Sequence, residues 1–556
     1  MKLTKLSLAI VTALGAGAIS DALALDLYVD SKTQQIFAEP GPGRTKLGTF
    51  QRVEDSPNQQ VETAQQKAEI DKIKEDLALK TNELKAIDEH LKDPTEGKLH
   101  IDEKGIKFES KDGNFDMAIT GRMQVDSQSN VSGLDGVGSS KVAKTDQPSD
   151  GANIRRARLG LEGSFYKDYE YKFEYDFSRG NGTVAAGITD AYINWKGYDP
   201  FGLKVGSFKE PFSLEEATSN RWTTFIERNM AVNSFSDNPN AYKTGLGLNY
   251  AQPRWTAAGA FLTEPVGGGW AYNSSLNGGY NSAAASSAYS NINGNQNRSN
   301  GSGDTGWELT GRVTTLPWFE DKNKFVHLGA SGSQRQVNNN YDASGNLASG
   351  GMTFNATIDG NVDRTSVLNT GSLTNIAGKN AAHRVNKITR FGGEGAVVYK
   401  SLSAQAEYIQ TDVSGIGYTN ESLNGYYGFV SYFLTGESRT YKAKTGAWDR
   451  IKPNSNFSTH GGGWGAWELA AGYDYLNLNS GVIHGGRAST GKFGINWYPM
   501  SHVKLMANLI HYLNVDTADI NVVKADGSTD AAATARSKAY NSANLDTVEA
   551  RVQVDF

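Results

Sequence analysis

Thr547-Val548-Glu549-Ala550-Arg551-Val552-Gln553-Val554-Asp555-Phe556 closes the chain with an apolar residue at every even position and a polar or charged one at every odd position. A period of two describes a strand with two unlike faces. In a soluble sheet the apolar face would be core, yet here it runs to the final residue with nothing after it to cover a sheet edge. Ten residues is also about the length a tilted strand needs to cross a bilayer. The stretch therefore reads as the closing strand of a transmembrane β-barrel, lipid outside and water inside. The alternative is the last strand of a soluble sandwich.

The start of the chain points to the same compartment. Lys2 and Lys5 precede an apolar run from Leu6 to Ile19, and Ala22-Leu23-Ala24 has small residues where a leader peptidase cuts. Residues 1–24 read as a secretory signal peptide. No later stretch approaches the roughly twenty apolar residues of a spanning helix. The chain has no cysteine, which rules out disulfides. A bacterial envelope is the expected location.

Composition agrees with a barrel. The chain carries 62 Gly, 25 Tyr, 22 Phe and 10 Trp, rich in turn formers and in aromatics of the kind that line membrane interfaces. Its mean hydropathy of -0.49 suits a wall of which only half meets lipid. A net charge of -5 excludes a nucleic-acid binder with a strongly basic face.

Residues 25–57 read as a short periplasmic segment with a small strand pair, Asp26-Leu27-Tyr28-Val29 alternating and Pro40-Gly41-Pro42-Gly43 turning. Over 58–93, Ile70, Ile73, Leu77, Lys80, Leu84, Ile87 and Leu91 alternate in spacings of three and four between charged flanks. That is the seam of a coiled coil, with Lys80 leaving the number of strands open. The competing reading is one amphipathic helix lying on the barrel. A linker, 94–112, contains Pro94 and Gly97 and leads to the barrel at 113–556.

From there one theme repeats. Phe115, Met117, Ile119, Met123 and Val125 alternate with Asp116, Thr120, Arg122, Gln124 and Asp126, and Tyr169 to Phe177 alternates aromatics with Glu170, Lys172, Glu174 and Asp176. Charges this regular suit a water-filled lumen, since a packed core would demand a partner for each. Joins are either tight, as at Tyr166-Lys167-Asp168, or long and rich in Gly, Ser and Asn, as from Val266 to Gly306 and Asn338 to Gly378. Short periplasmic turns and long external loops are expected of outer-membrane barrels. About 444 residues at roughly 28 per strand and loop gives about sixteen strands, wide enough for an aqueous channel. Strand 547–556 should then pair with the first strand, near Phe115 to Val125, so that no edge remains.

Signals for chemistry fail. Gly486-Arg487-Ala488-Ser489-Thr490-Gly491-Lys492 has P-loop spacing, but Phe493 stands where Ser or Thr is required and a strand follows. The eight His show no metal-ligand spacing, and no catalytic triad can be argued from the sequence. No catalytic residue, metal or cofactor is expected, although a barrel esterase is the enzyme reading that sequence order alone leaves open.

Several ordered segments resemble the phosphate-selective porin O/P family: Arg155-Arg156-Ala157-Arg158-Leu159-Gly160-Leu161-Glu162-Gly163, Tyr171 to Phe177, Val205-Gly206-Ser207-Phe208-Lys209-Glu210-Pro211-Phe212-Ser213-Leu214-Glu215, Ser431 to Arg439 and Gly465 to Ala470. The resemblance implies a sixteen-stranded, trimeric outer-membrane channel whose lumen arginines and lysines guide anions, and one loop that folds inward as a constriction. Lys209 to Arg228 fits that loop, with Lys209, Ser213, Ser219 and Arg221 as the anion site; an ordinary external loop with solvated charges is the alternative. On the wall, parity turns Arg122, Arg156, Arg158, Lys172, Lys204, Arg312, Lys492, Lys504 and Arg551 to the water, together with Glu162, Glu170, Glu174, Asp176, Glu468, Asp474 and Glu549. Opposite charges on neighbouring strands pair across such a wall, so Arg122, Arg156 and Arg158 enter as substrate-binding candidates and the wall alone does not establish selectivity. The expected partners are outer-membrane lipid, small anionic solutes such as phosphate, two further copies of the chain, and peptidoglycan or another periplasmic partner through the coiled coil. The alternatives are a general or dicarboxylate porin, and a structural barrel that tethers the envelope.

Overall fold

The computed structural model describes residues 25–32, 35–50, 57–91, 97–102, 105–130, 149–179, 187–236, 242–263, 306–337, 340–341, 347–349, 352–360, 362–377, 380–524 and 526–556. The expected leader, 1–24, lies outside them. No helix among these residues is long and apolar enough to cross a membrane. Two units are present, Met1–Glu96 and Gly97–Phe556.

In the first unit the expected strand pair is a three-stranded antiparallel sheet, with Leu25–Asp30 between Ile36–Phe37 and Arg44–Phe50. Helix α1, Pro57–Leu91, follows.

The second unit is a closed antiparallel barrel of sixteen strands. The first five are β1 (Phe115–Asn130), β2 (Gly151–Phe165), β3 (Tyr169–Asp176), β4 (Gly187–Tyr198) and β5 (Phe201–Lys209). Next come β6 (Tyr242–Ala251), β7 (Trp255–Leu262), β8 (Trp307–Asp321) and β9 (Lys324–Gln336). The last seven are β10 (Asn380–Tyr399), β11 (Leu402–Ile416), β12 (Tyr418–Phe433), β13 (Ala466–Ser480), β14 (Ile483–Met500), β15 (Val503–Asp516) and β16 (Asp546–Asp555). Tyr166 and Lys167, at φ 50° and 63°, make the tight β2–β3 turn in the left-handed region that suits the twist of a hairpin.

Parity divides the wall as the sequence implies. Met123, Leu159, Phe173, Ile193, Val205, Leu248, Val313, Val430 and Val552 are exposed on the outer face, while Arg122, Glu174, Arg312, Glu394, Lys492 and Arg551 are buried on the inner one. Aromatic side chains at the short-turn end, among them Tyr166, Tyr198, Trp255, Trp318, Tyr399 and Tyr432, are exposed and form an interfacial girdle.

Closure is displaced from the expected register. β16 pairs with the upper part of β1, Val552 opposite Val125 and Thr547 opposite Asn130. The lower part is taken by a hairpin, Lys98–Asp102 and Gly105–Glu109, inside the stretch read as linker, with Ile106 opposite Ile119. Phe556 is the seam between the two. Its N–H and C=O exchange hydrogen bonds of 3.0 Å with Gly121, and its ring covers the space a Gly121 side chain would fill. Deleting Phe556 removes both bonds at the closing edge. The amount of folded barrel in the membrane, read as the heat-modifiable band on a gel, should fall severalfold; an unchanged amount would contradict this role.

At the long-loop end the wall reverses polarity. Ile409 and Val413 on β11 are buried inside, whereas Gln410 and Asp412 of the same strand face outward, half-buried. With Ile388, Leu423, Leu476, Ile510 and Val515 they form a core with Met352, Phe354, Ile358, Val367 and Leu368 of the connection 337–379. By composition Asn338 to Gly378 is an open external loop; its described part is instead folded inward on this core. Loop 517–545, which contains a helix at Ala531–Ala539, adds Tyr540 and Leu545 to the same cluster. Strands longer than the bilayer carry their own hydrophobic seam above it, which a lumen read as uniformly aqueous does not anticipate.

Candidate functional site

The segment from Glu210 to Phe235 leaves β5 at the long-loop end and crosses the lumen. Two aromatics seat it on the wall. The Phe225 ring lies over Gly472 and Gly494, and Phe212 over Gly392, positions where a Cβ would meet those rings at 3.2 Å. A short helix, α2 (Leu214–Ala217), is capped by Ser213, and a second, α3 (Met230–Phe235), by Asn229.

Hydrogen bonds tie the segment to the wall all round. Glu407 accepts from the N–H groups of Leu214 and Glu215 at 2.9 and 2.8 Å. Met230 N donates to Asp474 at 2.8 Å, Lys504 to Thr223 O at 2.6 Å, and Asn496 to Thr224 O at 2.9 Å. Arg551 donates to Ile226 O at 2.6 Å and to Glu227 at 3.1 Å. Arg390 holds both ends of the loop, donating to Glu210 at 2.8 Å and to Phe235 O at 2.7 Å. Burial pushes the Glu227 carboxyl up, but Arg155 and Arg156 more than offset it and hold it well below the usual carboxylate range.

Most wall cations are neutralised in place. Arg158 meets Asp176 and Glu174 at 2.8 Å each, Arg122 pairs with Glu174, and Arg312 with Glu394 at 2.6 Å. Lys492 lies 3.0 Å from both Asp359 and Asp474, and Arg551 2.7 Å from Asp126. Lys172 is 3.3 Å from Asp190.

The seven residues singled out from the sequence divide accordingly. Ser219 and Arg221 line an open cavity. Arg122 donates to Asn220 and, at 3.4 Å, to Ser219, so it backs that rim. Lys209 is turned into the loop, donating to Glu216 O at 3.0 Å. Ser213 is buried, accepting from Glu216 N at 3.2 Å. Arg156 donates to Gln124 at 2.9 Å, one step nearer the long-loop end than Arg158, which stands opposite Arg122 among its wall partners.

The cavity, about 560 Å³, opens on the short-turn side of the crossing loop. Its walls include Thr120, Lys172 and Tyr192 of the barrel and Arg221 and Trp222 of the loop. The remaining side is built by residues 442–452, which sequence reasoning missed. They belong to the connection 434–465, which joins β12 to β13 at the end where turns are otherwise short, and which folds inward. Trp448 N donates to the Thr218 hydroxyl at 3.3 Å, its indole donates to Gln405 at 2.6 Å, and Gly446 O accepts from Arg312 at 2.7 Å. The signal lies in the chain, as Arg439, Lys442, Lys444, Arg450 and Lys452 against only Glu437 and Asp449, at an end where alternation of strands allows no long loop.

Here the cations are held differently. The Arg221 guanidinium stacks on Trp222 at 5.0 Å, with Arg450 on the same ring at 4.5 Å. Arg439 lies over Trp448 at 4.2 Å, and Lys204 over Tyr192 at 4.3 Å. Ring faces orient a cation without cancelling its charge. Arg450 also reaches Asp555 at 2.5 Å and is the neutralised member of the group. Among the described residues, Arg221, Lys442 and Lys452 have no carboxylate at ion-pairing distance.

A sixteen-stranded barrel with a lipid-facing outer wall, a polar inner wall and a loop laid across the lumen defines an outer-membrane porin. The family model for phosphate-selective porin O and P matches residues 119–538, and the chain belongs to that family. Porin O of Pseudomonas aeruginosa is 28% identical over 418 residues, covering 72% of this chain and 84% of the relative. Among solved structures, an anion-selective porin from Comamonas acidovorans is 11% identical with a TM-score of 0.43, covering 80% of this chain and 100% of that one. OmpT of Vibrio cholerae is 8% identical with a TM-score of 0.44, covering 80% and 98%. The protein is an outer-membrane channel.

Proposed function

We propose that this porin passes small anions, phosphate among them, down their gradient, and that it works as an assembly of three barrels. The solute runs past the crossing loop and through the cavity beneath it. Arg221 and Ser219 contact the anion, with Arg122 behind them, Lys204 on the adjoining wall and Lys442 and Lys452 at the exit. Lys209, Ser213, Arg156 and Arg158 shape the loop and wall and contribute field more than contact.

The observation that carries this reading is the contrast between the paired wall and the cavity, where Arg221, Lys442 and Lys452 keep their charge. A paired cation adds little to the potential felt by a passing ion, whereas an unneutralised one sets ion preference. Family membership supports phosphate as one substrate. A second reading, a porin for larger organic anions such as dicarboxylates, is favoured by the 560 Å³ volume and by Tyr192, Trp222 and Trp448 on its walls.

Purified protein in planar bilayers under a KCl gradient should give a reversal potential on the chloride side. Added phosphate should lower the chloride current more than an equal concentration of dicarboxylate does. A potassium-side potential would overturn the anion reading. A dicarboxylate effect exceeding that of phosphate would select the second reading. Chemical cross-linking of the detergent-purified protein should stop at three chains.

A further inference from the structure

Helix α1 belongs to the first unit, and its surface states what it is for. Ile70, Leu77, Leu84 and Leu91 occupy one position of a heptad and Ile73, Lys80 and Ile87 the other. Every described side chain from 69 to 86 is exposed, with Ile70, Ile73, Leu77 and Leu84 at 51, 62, 65 and 66%. Four large apolar groups in one line, left open to water, form a seam awaiting identical seams.

The flanking charges decide the orientation. Counting Ile70 as a, the g positions are Glu62, Glu69, Asp76 and Glu83, and the e positions are Lys67, Lys74, Thr81 and Asp88. In a parallel bundle, g of one helix meets e of the next heptad on its neighbour. Glu62 then faces Lys67 and Glu69 faces Lys74, against one repulsive match, Glu83 with Asp88. In an antiparallel bundle g faces g, acid against acid along that flank, and the e flank offers only one opposite-charge match, Lys67 with Asp88. Leucine at a (77, 84, 91) with isoleucine at d (73, 87) disfavours two strands in a parallel bundle.

We propose that α1 is a parallel, in-register coiled coil between three copies of this chain; the number three rests on the three-barrel reading above. Barrels that share one membrane carry their helices in the same direction, so a parallel bundle is the arrangement their chain order permits. Lys80 at a d position lowers stability, since in register it meets its own copies and like charges repel, so the seam is held by the isoleucines and leucines on either side of it.

The absence of cysteine makes the test clean. Ile70→Cys, Leu84→Cys and the outward-facing Glu75→Cys are introduced singly into the full chain, and outer membranes are treated with a mild oxidant. Each variant should show the wild-type amount of heat-modifiable barrel. Ile70→Cys and Leu84→Cys should each form a covalent pair of chains, and Glu75→Cys none. At completion about a third of the chains should remain single, since a disulfide joins two of three. Three results would overturn the proposal: no same-residue link at 70 and 84, as for a helix bound to cell-wall polymer; linkage of Ile70→Cys chains only when they are mixed with chains carrying Ile87→Cys, as for antiparallel helices, in which an a position meets a d position; and complete conversion to pairs, as for two or four strands.

Discussion

Arg390→Ala is expected to roughly double the single-channel conductance and to make it noisy, with the protein still reaching the membrane. The guanidinium donates to Glu210 at the start of the crossing loop and to Phe235 O at its end, and it pairs with Glu308 on β8. All three groups are buried. Removing one member of a buried ion pair leaves uncompensated charge and costs about 3–5 kcal/mol. Here that cost falls on two carboxylates, with Lys243, 2.5 and 2.6 Å from them, left to share both. The remaining ties at Glu407, Arg551 and Phe225 keep the loop in the lumen but release its ends. Arg390→Lys keeps the charge and loses the fork, so it should fall between the two. Wild-type conductance in Arg390→Ala at normal membrane levels would show that the loop does not set the pore.

Arg221→Glu combined with Lys442→Glu is expected to shift the reversal potential toward potassium and to lower the anion-to-cation permeability ratio at least about tenfold. Each site contributes on the order of 1 kcal/mol to a passing anion in a watery lumen, and reversal doubles the effect. Arg158→Gln is the comparison, because it removes a cation already matched to Glu174 and Asp176. It should disturb stability more than selectivity. Equal shifts in the two variants would mean that the whole wall, rather than the cavity, sets preference.

Much of the barrel is legible in the order of residues. Alternation in Phe115 to Asp126 and Tyr169 to Phe177 places those side chains on the correct faces, because sidedness in a strand depends only on residue parity. The crossing loop is legible too, through the motif around Lys209 to Glu215. Its chemistry is not. Ser213 looks like a ligand and is a helix cap, and Lys209 looks free and lies on Glu216. Composition marks the connection 434–465 as basic but not as inward-folded, since Trp448 is recognisable as a lumen residue only once Gln405 and Thr218 are beside it.

Residue order is enough to set the two-faced strands, their number and the closing role of the last strand, and the family resemblance adds the position of the crossing loop. Which cations are neutralised is settled only when the chain has folded. Arg390 finds Glu210 across 180 residues and Glu308 across 82, while Arg221 finds a tryptophan ring and the Ser219 hydroxyl but, among the described residues, no carboxylate at ion-pairing distance. Side-chain direction is a local property of the strand, repeated every two residues. Neutralisation of a charge depends on neighbours brought together from distant parts of the chain, and on that pairing the proposed selectivity rests.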